Sequence, residues 1–167
     1  MLKFAAFEVQ AAVLVPRSAG PQRIARLRAQ ARRHNFEYNP RPGYLYVRSR
    51  AISSRTNDNY DEFPAEEIKK AYATFIGKPV FVNHHNADHR RARGYVVDAA
   101  LHEDTNPDPS PDTWVEVLME IDAVNFPKLA QAIVLGQVDR TSMGTDVEWS
   151  ECSYCGNQAR TRDEYCK

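Results

Sequence analysis

Apolar residues follow two rhythms along this chain, one close to every second position and one close to every third or fourth. Residues 3–15 alternate loosely in Ala, Val and Phe and predict a first strand. Pro16 to Pro21, with Gly20 between, marks a turn, and Pro21 suits the first position of a helix running through QRIARLRAQARRHN. Asn39-Pro40-Arg41-Pro42-Gly43 is a firm break before YLYVRSRAIS, a strand rich in β-branched and aromatic residues. After the polar loop SSRTNDNYDEF, Pro64 with Glu66 and Glu67 opens a helix through AEEIKKAYATF, which Gly77 ends. PVFVN is a short apolar strand that delivers Asn83, His84, His85 and Asn86 to its end, and ADHRRAR is a charged loop. GYVVDAAL is a further strand, and His102 to Asp112 is a Pro- and Asp-rich turn. In WVEVLMEIDA, Trp114, Val117 and Met119 are set among Glu116 and Glu120. Asn125 or Phe126-Pro127 starts a short helix, KLAQAIVLG, that stops at Gly136. Thr145, Val147 and Trp149 then alternate with Asp146 and Glu148, the pattern of a strand with one buried face and Ser142 at its mouth.

Strands dominate the centre and helices flank them, so the expected fold class is α+β. The sheet is mixed or antiparallel and closes toward a small barrel, with about three helices around it. With 167 residues, the chain is long enough for one sizeable core. The expected organisation is a main domain over residues 1–150 and a cysteine-bearing segment over 151–167.

Charge narrows the partners. Lys plus Arg and Asp plus Glu number 22 each, so no global field recruits nucleic acid or an anionic membrane. No apolar run reaches the ~20 residues of a membrane span, and Glu8 interrupts the N-terminal apolar stretch, against a secretory signal. All three cysteines fall in the last sixteen residues rather than across the domain, which points to a reducing compartment. On the helix at 21–33, Ile24, Leu27 and Ala31 form a thin stripe while Arg23, Arg26, Arg28, Arg32 and Arg33 crowd the remainder. That face is either solvated or a dock for an acidic partner surface.

The residues with chemistry are few. In GQVDRTSMGTDVE, Ser142 is a small nucleophile, and Gly144 two residues on lets another chain approach closely. A serine needs a base, and three of the five histidines stand at 84, 85 and 89. Asp146 and Glu148 are carboxylates that can orient such a histidine, or simply face water. Asn83-His84-His85-Asn86, with Asp88 and His89, also offers nitrogen and oxygen donors for a metal, and resembles the loop of His-Asn-His nucleases. That rival class needs a phosphate-binding surface, which the neutral charge and the acidic loops argue against. Cys152-x-x-Cys155-Gly, with Cys166 beyond it, has the look of most of a zinc ribbon or knuckle, a structural zinc site one ligand short, or else is a free-thiol tail.

With the histidine loop and the serine strand placed, the sequence resembles a tailed-phage capsid maturation (prohead) protease, a family similar to the herpesvirus assemblin fold. GKPVFVNHHNADHRRARGYVVDAAL resembles the family's apolar strand ending in Asn-His, then Gly and a strand. WVEVLMEIDAVNFPKLAQAIVLGQVDRTSMGTDVEWS resembles its strand, helix and Ser-x-Gly strand. CSYCGN is similar to a cysteine insertion in the actinobacteriophage branch. The resemblance implies a serine endopeptidase with Ser142 as nucleophile and His84 as general base, His85 being the alternate, and an oxyanion site near Met143 and Gly144. Its third catalytic member is Asp146 or Glu148, or lies beyond Lys167 in a chain cut short of that strand and of the last zinc ligand. Catalysis needs no cofactor. The implied substrates are capsid and scaffold proteins, processed in the host cytoplasm inside an assembling procapsid by a self-associating and self-cleaving enzyme. A non-catalytic capsid assembly module is the remaining alternative.

Overall fold

The computed structural model describes residues 2–83, 88–104 and 111–166. Among these residues eight strands alternate with three α-helices and three short 3-10 turns. The strands are β1 (Leu2–Leu14), β2 (Tyr44–Ser53), β3 (Pro79–Val80), β4 (Gly94–Asp104), β5 (Asp112–Asp122), β6 (Arg140–Asp146), β7 (Ser150–Glu151) and β8 (Gln158–Ala159). The helices are α1 (Pro21–Arg32), α2 (Ala65–Ala71) and α3 (Pro127–Val134). Six strands form one curled antiparallel sheet, an open half-barrel, in the order β3-β4-β5-β2-β1-β6, and β7-β8 pair separately. The class is therefore α+β with three helices, as the pattern indicates.

Bulges account for the curl. An extra residue bends its strand and raises its twist, and the register slips between Val9 and Ala11 in β1, Arg50 and Ile52 in β2, and Val96 and Asp98 in β4. The slip in β1 also divides its pairing. Residues Val9–Leu14 pair with β2, whereas Leu2–Glu8 pair with β6. One long strand thus carries β6 out from the main sheet.

Two apolar layers cover the sheet. On one face Leu45, Val47, Val96, Val117, Met119 and Ile121 pack with Ile68 of α2 and Ala130 of α3. On the other, Val15, Phe36, Tyr46, Ala100 and Leu118 pack under α1. Pro21 opens α1 as expected, but Ala31 is its sole buried residue and Ile24 and Leu27 are only partly covered. Helix α2 runs shorter than its pattern, giving way to a 3-10 turn over Tyr72–Phe75.

Two expectations are corrected. PVFVN is a strand only over Pro79–Val80, and Asn83 closes the segment in the left-handed region at φ 54°. In β5 the apolar face is Val115, Val117, Met119 and Ile121, so Trp114 lies in phase with the glutamates. Those glutamates are buried. Arg41 engages the Glu120 carboxylate and Tyr46 Oη donates to it at 3.0 Å, satisfying a charge that would be costly to bury alone. Burial first, and then Glu120 beside it, hold the Tyr46 hydroxyl well above the usual phenol range, so it stays a donor. At the start of β5, buried Asp112 accepts from Ser53 Oγ at 2.6 Å and from Arg50 at 3.1 Å, tying the end of β2 to β5.

Gly94 marks the closest approach of β4 to β5. A Cβ there would lie 1.8 Å from the Glu120 carbonyl oxygen, a backbone atom with no slack to yield. Gly94→Ala is expected to force the two strands apart and cost about 3 kcal/mol or more in chemical denaturation. A loss below about 0.5 kcal/mol, the range of neutral surface changes, would contradict this packing.

Candidate functional site

Ser142 is the third residue of β6, not a residue at the mouth of a strand, and the strand ends at Asp146, before Val147 and Trp149. Trp149 is 43% exposed, so the expected buried face stops short of it. Along β6 the side chains alternate, with Thr141, Met143 and Thr145 half-buried and Arg140, Ser142, Gly144 and Asp146 exposed. Met143 packs on the core, leaving the Ser142 hydroxyl on the opposite, solvent-facing side. Among the described residues that hydroxyl has no hydrogen-bond partner. In register, Ser142 faces Ala6 and Gly144 faces Phe4.

Strand β6 is the last in the sheet, so its second edge is unpaired among the described residues. An edge strand presents free N–H and C=O groups to any extended chain. Its position is set from the other side by Ser49, fully buried on β2. Ser49 Oγ lies 2.5 Å from Thr141 Oγ1 and donates to the Glu8 carbonyl at 3.1 Å. Thr141 Oγ1 also reaches the Phe7 carbonyl at 3.4 Å. Two hydroxyls thus join β2, β1 and β6 beside the β1 bulge, one residue from Ser142. Sequence reasoning passed over Ser49, although its signal was present: a serine in the Leu45–Val47 phase of an otherwise apolar strand face.

Where β1 leaves β2, a cleft of about 200 Å³ opens between Phe7, Arg50, Ser53, Arg55 and Phe63. Phe7 is the register partner of Thr141, which places the cleft beside the serine strand.

His84 and His85 lie outside the described residues. The chain leads to them from β3, the strand at the other end of the sheet order from β6. Of the rival metal loop, Asn86 also lies outside the described residues, and His89 is exposed in a 3-10 turn. Asp88 is already engaged: Arg90 holds its carboxylate below the usual range, through Nε at 2.9 Å and the backbone N–H at 3.1 Å. Elsewhere, His102 stacks on Trp114 at 5.2 Å. Its Nε2 is 3.4 Å from Glu116, close enough to pair when protonated but not aligned as a hydrogen bond. Asp146 and Glu148 are both exposed, and no contact to a histidine is present among the described residues.

The cysteines do come together. The ligand sulfurs of Cys152, Cys155 and Cys166 all lie within 4.8 Å of one another and can bind a metal ion. The turn that achieves this runs from Cys152 to Asn157, closed by Gly156 N–H to the Cys152 carbonyl at 2.9 Å and Cys152 N–H to the Asn157 carbonyl at 2.9 Å. Gly156 occupies φ 71°, where a side chain would be strained. Backbone N–H groups of Cys155 and Tyr154, then the neighbouring thiols, bring the Cys152 thiol down to about 7. The hydrogen bond it shares with Cys152 takes the Cys166 thiol up to about 11.

Compared with protein-family models, with curated proteins and with solved structures, the chain matches none.

Proposed function

We propose that the protein is a serine endopeptidase that acts in phage procapsid maturation, with an assemblin-like fold. One observation carries the reading: among the described residues, an exposed serine hydroxyl without a partner sits within an edge strand whose outer edge is unpaired. A peptide added to that edge runs alongside Ser142 with its main chain paired, and the absence of a Cβ at Gly144 leaves room for it. The cleft beside Phe7 can take one of its side chains.

His84 removes the Ser142 proton, with His85 as the alternate base, and Ser142 Oγ attacks the peptide carbonyl to give an acyl-enzyme that water hydrolyses. Backbone N–H groups near Met143 and Gly144 would steady the oxyanion, each worth roughly 10²–10³ in rate. In support of the pairing, curling a sheet draws its two end strands toward each other, and the two residues belong to or follow those strands. Asp146 and Glu148 remain candidates for the carboxylate partner. Substrates are scaffold protein or the scaffold-like part of the capsid protein, inside the assembling particle in the host cytoplasm. The exposed arginines of α1, which make no ion pair among the described residues, suit an acidic segment of such a partner. The same reading takes the cysteine cluster as a structural zinc site, with no cofactor in the acyl chemistry.

The test is co-expression with scaffold and capsid protein. Ser142→Ala should lower scaffold cleavage by roughly 10⁴-fold or more while the variant still folds and enters particles. A fluorophosphonate should label Ser142 in the parent protein, His84→Ala should abolish the labelling and His85→Ala should retain it. Cleavage by Ser142→Ala at the parent rate would end the proposal.

A further inference from the structure

Residues 150–166 hold a defined shape with almost nothing inside it. Ala159, 1% exposed, is the one buried residue of the segment, and Tyr154 is 97% exposed. Strands β7 and β8 have two residues each. What remains is a set of exposed hydrogen bonds: Asn157 Nδ2 to the Glu164 carbonyl at 2.8 Å, Arg160 N–H to the Glu164 carboxylate at 2.6 Å, and a capping box between Thr161 and Glu164. Contacts of this kind, open to water, do not repay the conformational entropy of ordering such a stretch. Small folds that lack a core are held by disulfides or by a metal. The three cysteines are free, and their sulfurs converge from both ends of the segment, two from the turn after β7 and one from just beyond the last 3-10 turn.

We propose that one soft divalent cation of the zinc class, bound by Cys152, Cys155 and Cys166, folds residues 150–166 and thereby anchors the far end of the strand that carries Ser142. This deepens the zinc reading above by giving the ion a task. Each thiol gives up its proton to solvent as its sulfur binds, so three thiolates face the ion and the fourth corner of the tetrahedron takes a further donor. The anchoring follows from chain geometry. Strand β6 is held along one edge only, none of its described side chains is fully buried, and three residues separate Asp146 from Ser150, the start of the clamped segment. With the segment loose, the Asp146 end of β6 is free to fray from Leu2 and Lys3, its partners on β1.

The experiment titrates reduced, metal-free protein with Co(II) and then Zn(II), followed by metal analysis, thiolate-to-cobalt charge-transfer absorption and amide hydrogen exchange. One ion per chain is expected, with charge-transfer intensity of three thiolates and slower exchange over both 150–159 and the Thr145–Asp146 end of β6. Cys166→Ser should weaken binding by more than about 100-fold, beyond what loss of a supporting contact alone costs. Ser142→Ala should bind the ion unchanged. No charge-transfer band, a Cys152–Cys155 disulfide in freshly purified protein, or unchanged exchange over 150–159 would overturn the proposal, and unchanged exchange in β6 would overturn the anchoring. None of these readouts uses proteolysis, so failure of serine labelling in the zinc-loaded protein would count against the peptidase reading and leave the metal site standing.

Discussion

The division of β1 between two partners is the constraint from which the rest of the site follows. A single strand pairs with β2 along one half and with β6 along the other, and the change-over falls at the bulge between Val9 and Ala11. Strand β6 therefore reaches the molecule through β1, with the Ser49–Thr141 hydroxyl contact as its tie to β2. Burying a polar pair in that place has a structural reason. Where a strand bulges, backbone carbonyls lose their regular ladder partners, and the two hydroxyls reach the Glu8 and Phe7 carbonyls there. An apolar side chain at position 49 would fill the space without meeting those groups.

The outer face of the sheet obeys a second rule. Glu116, Glu120 and Asp112 are buried on β5, each beside arginine from a neighbouring segment: Arg48, Arg41 and Arg50. Such arrangements define register more than they add stability, because a one-residue slip would strand a carboxylate without its cation. Helix α1 covers the remainder of that face by a thin apolar stripe, and this leaves its arginines available to solvent.

Much of the fold was legible in the sequence. Tyr44–Ser53 is a strand with the bounds its composition indicates, and Pro21, Pro127 and Gly136 punctuate helices where expected, because backbone restriction acts locally and leaves a local trace. Less visible was whatever depended on partners distant in sequence. Nothing local to β5 signals the burial of Glu120, which rests on Arg41, 79 positions away, and on the Tyr46 hydroxyl. Trp149 continues the period-2 pattern of β6, but the strand and its described pairing with β1 stop at Asp146, so the pattern outlasts the strand. As for the site, Ser142 stands out by its neighbours Thr141 and Gly144, and the convergence of the three cysteines was readable from their spacing. The tie from Ser49 was not, since it needs the register of three strands at once.

The open side of β6 sets a length scale. Seven residues at about 3.3 Å each make a ledge some 23 Å long. Anything that lies down on it must already be unravelled over that span, so compact neighbours slide past however well their residues would suit. Selection by slack rather than by spelling would let such a surface take an unfolded tail and pass over the folded body it belongs to.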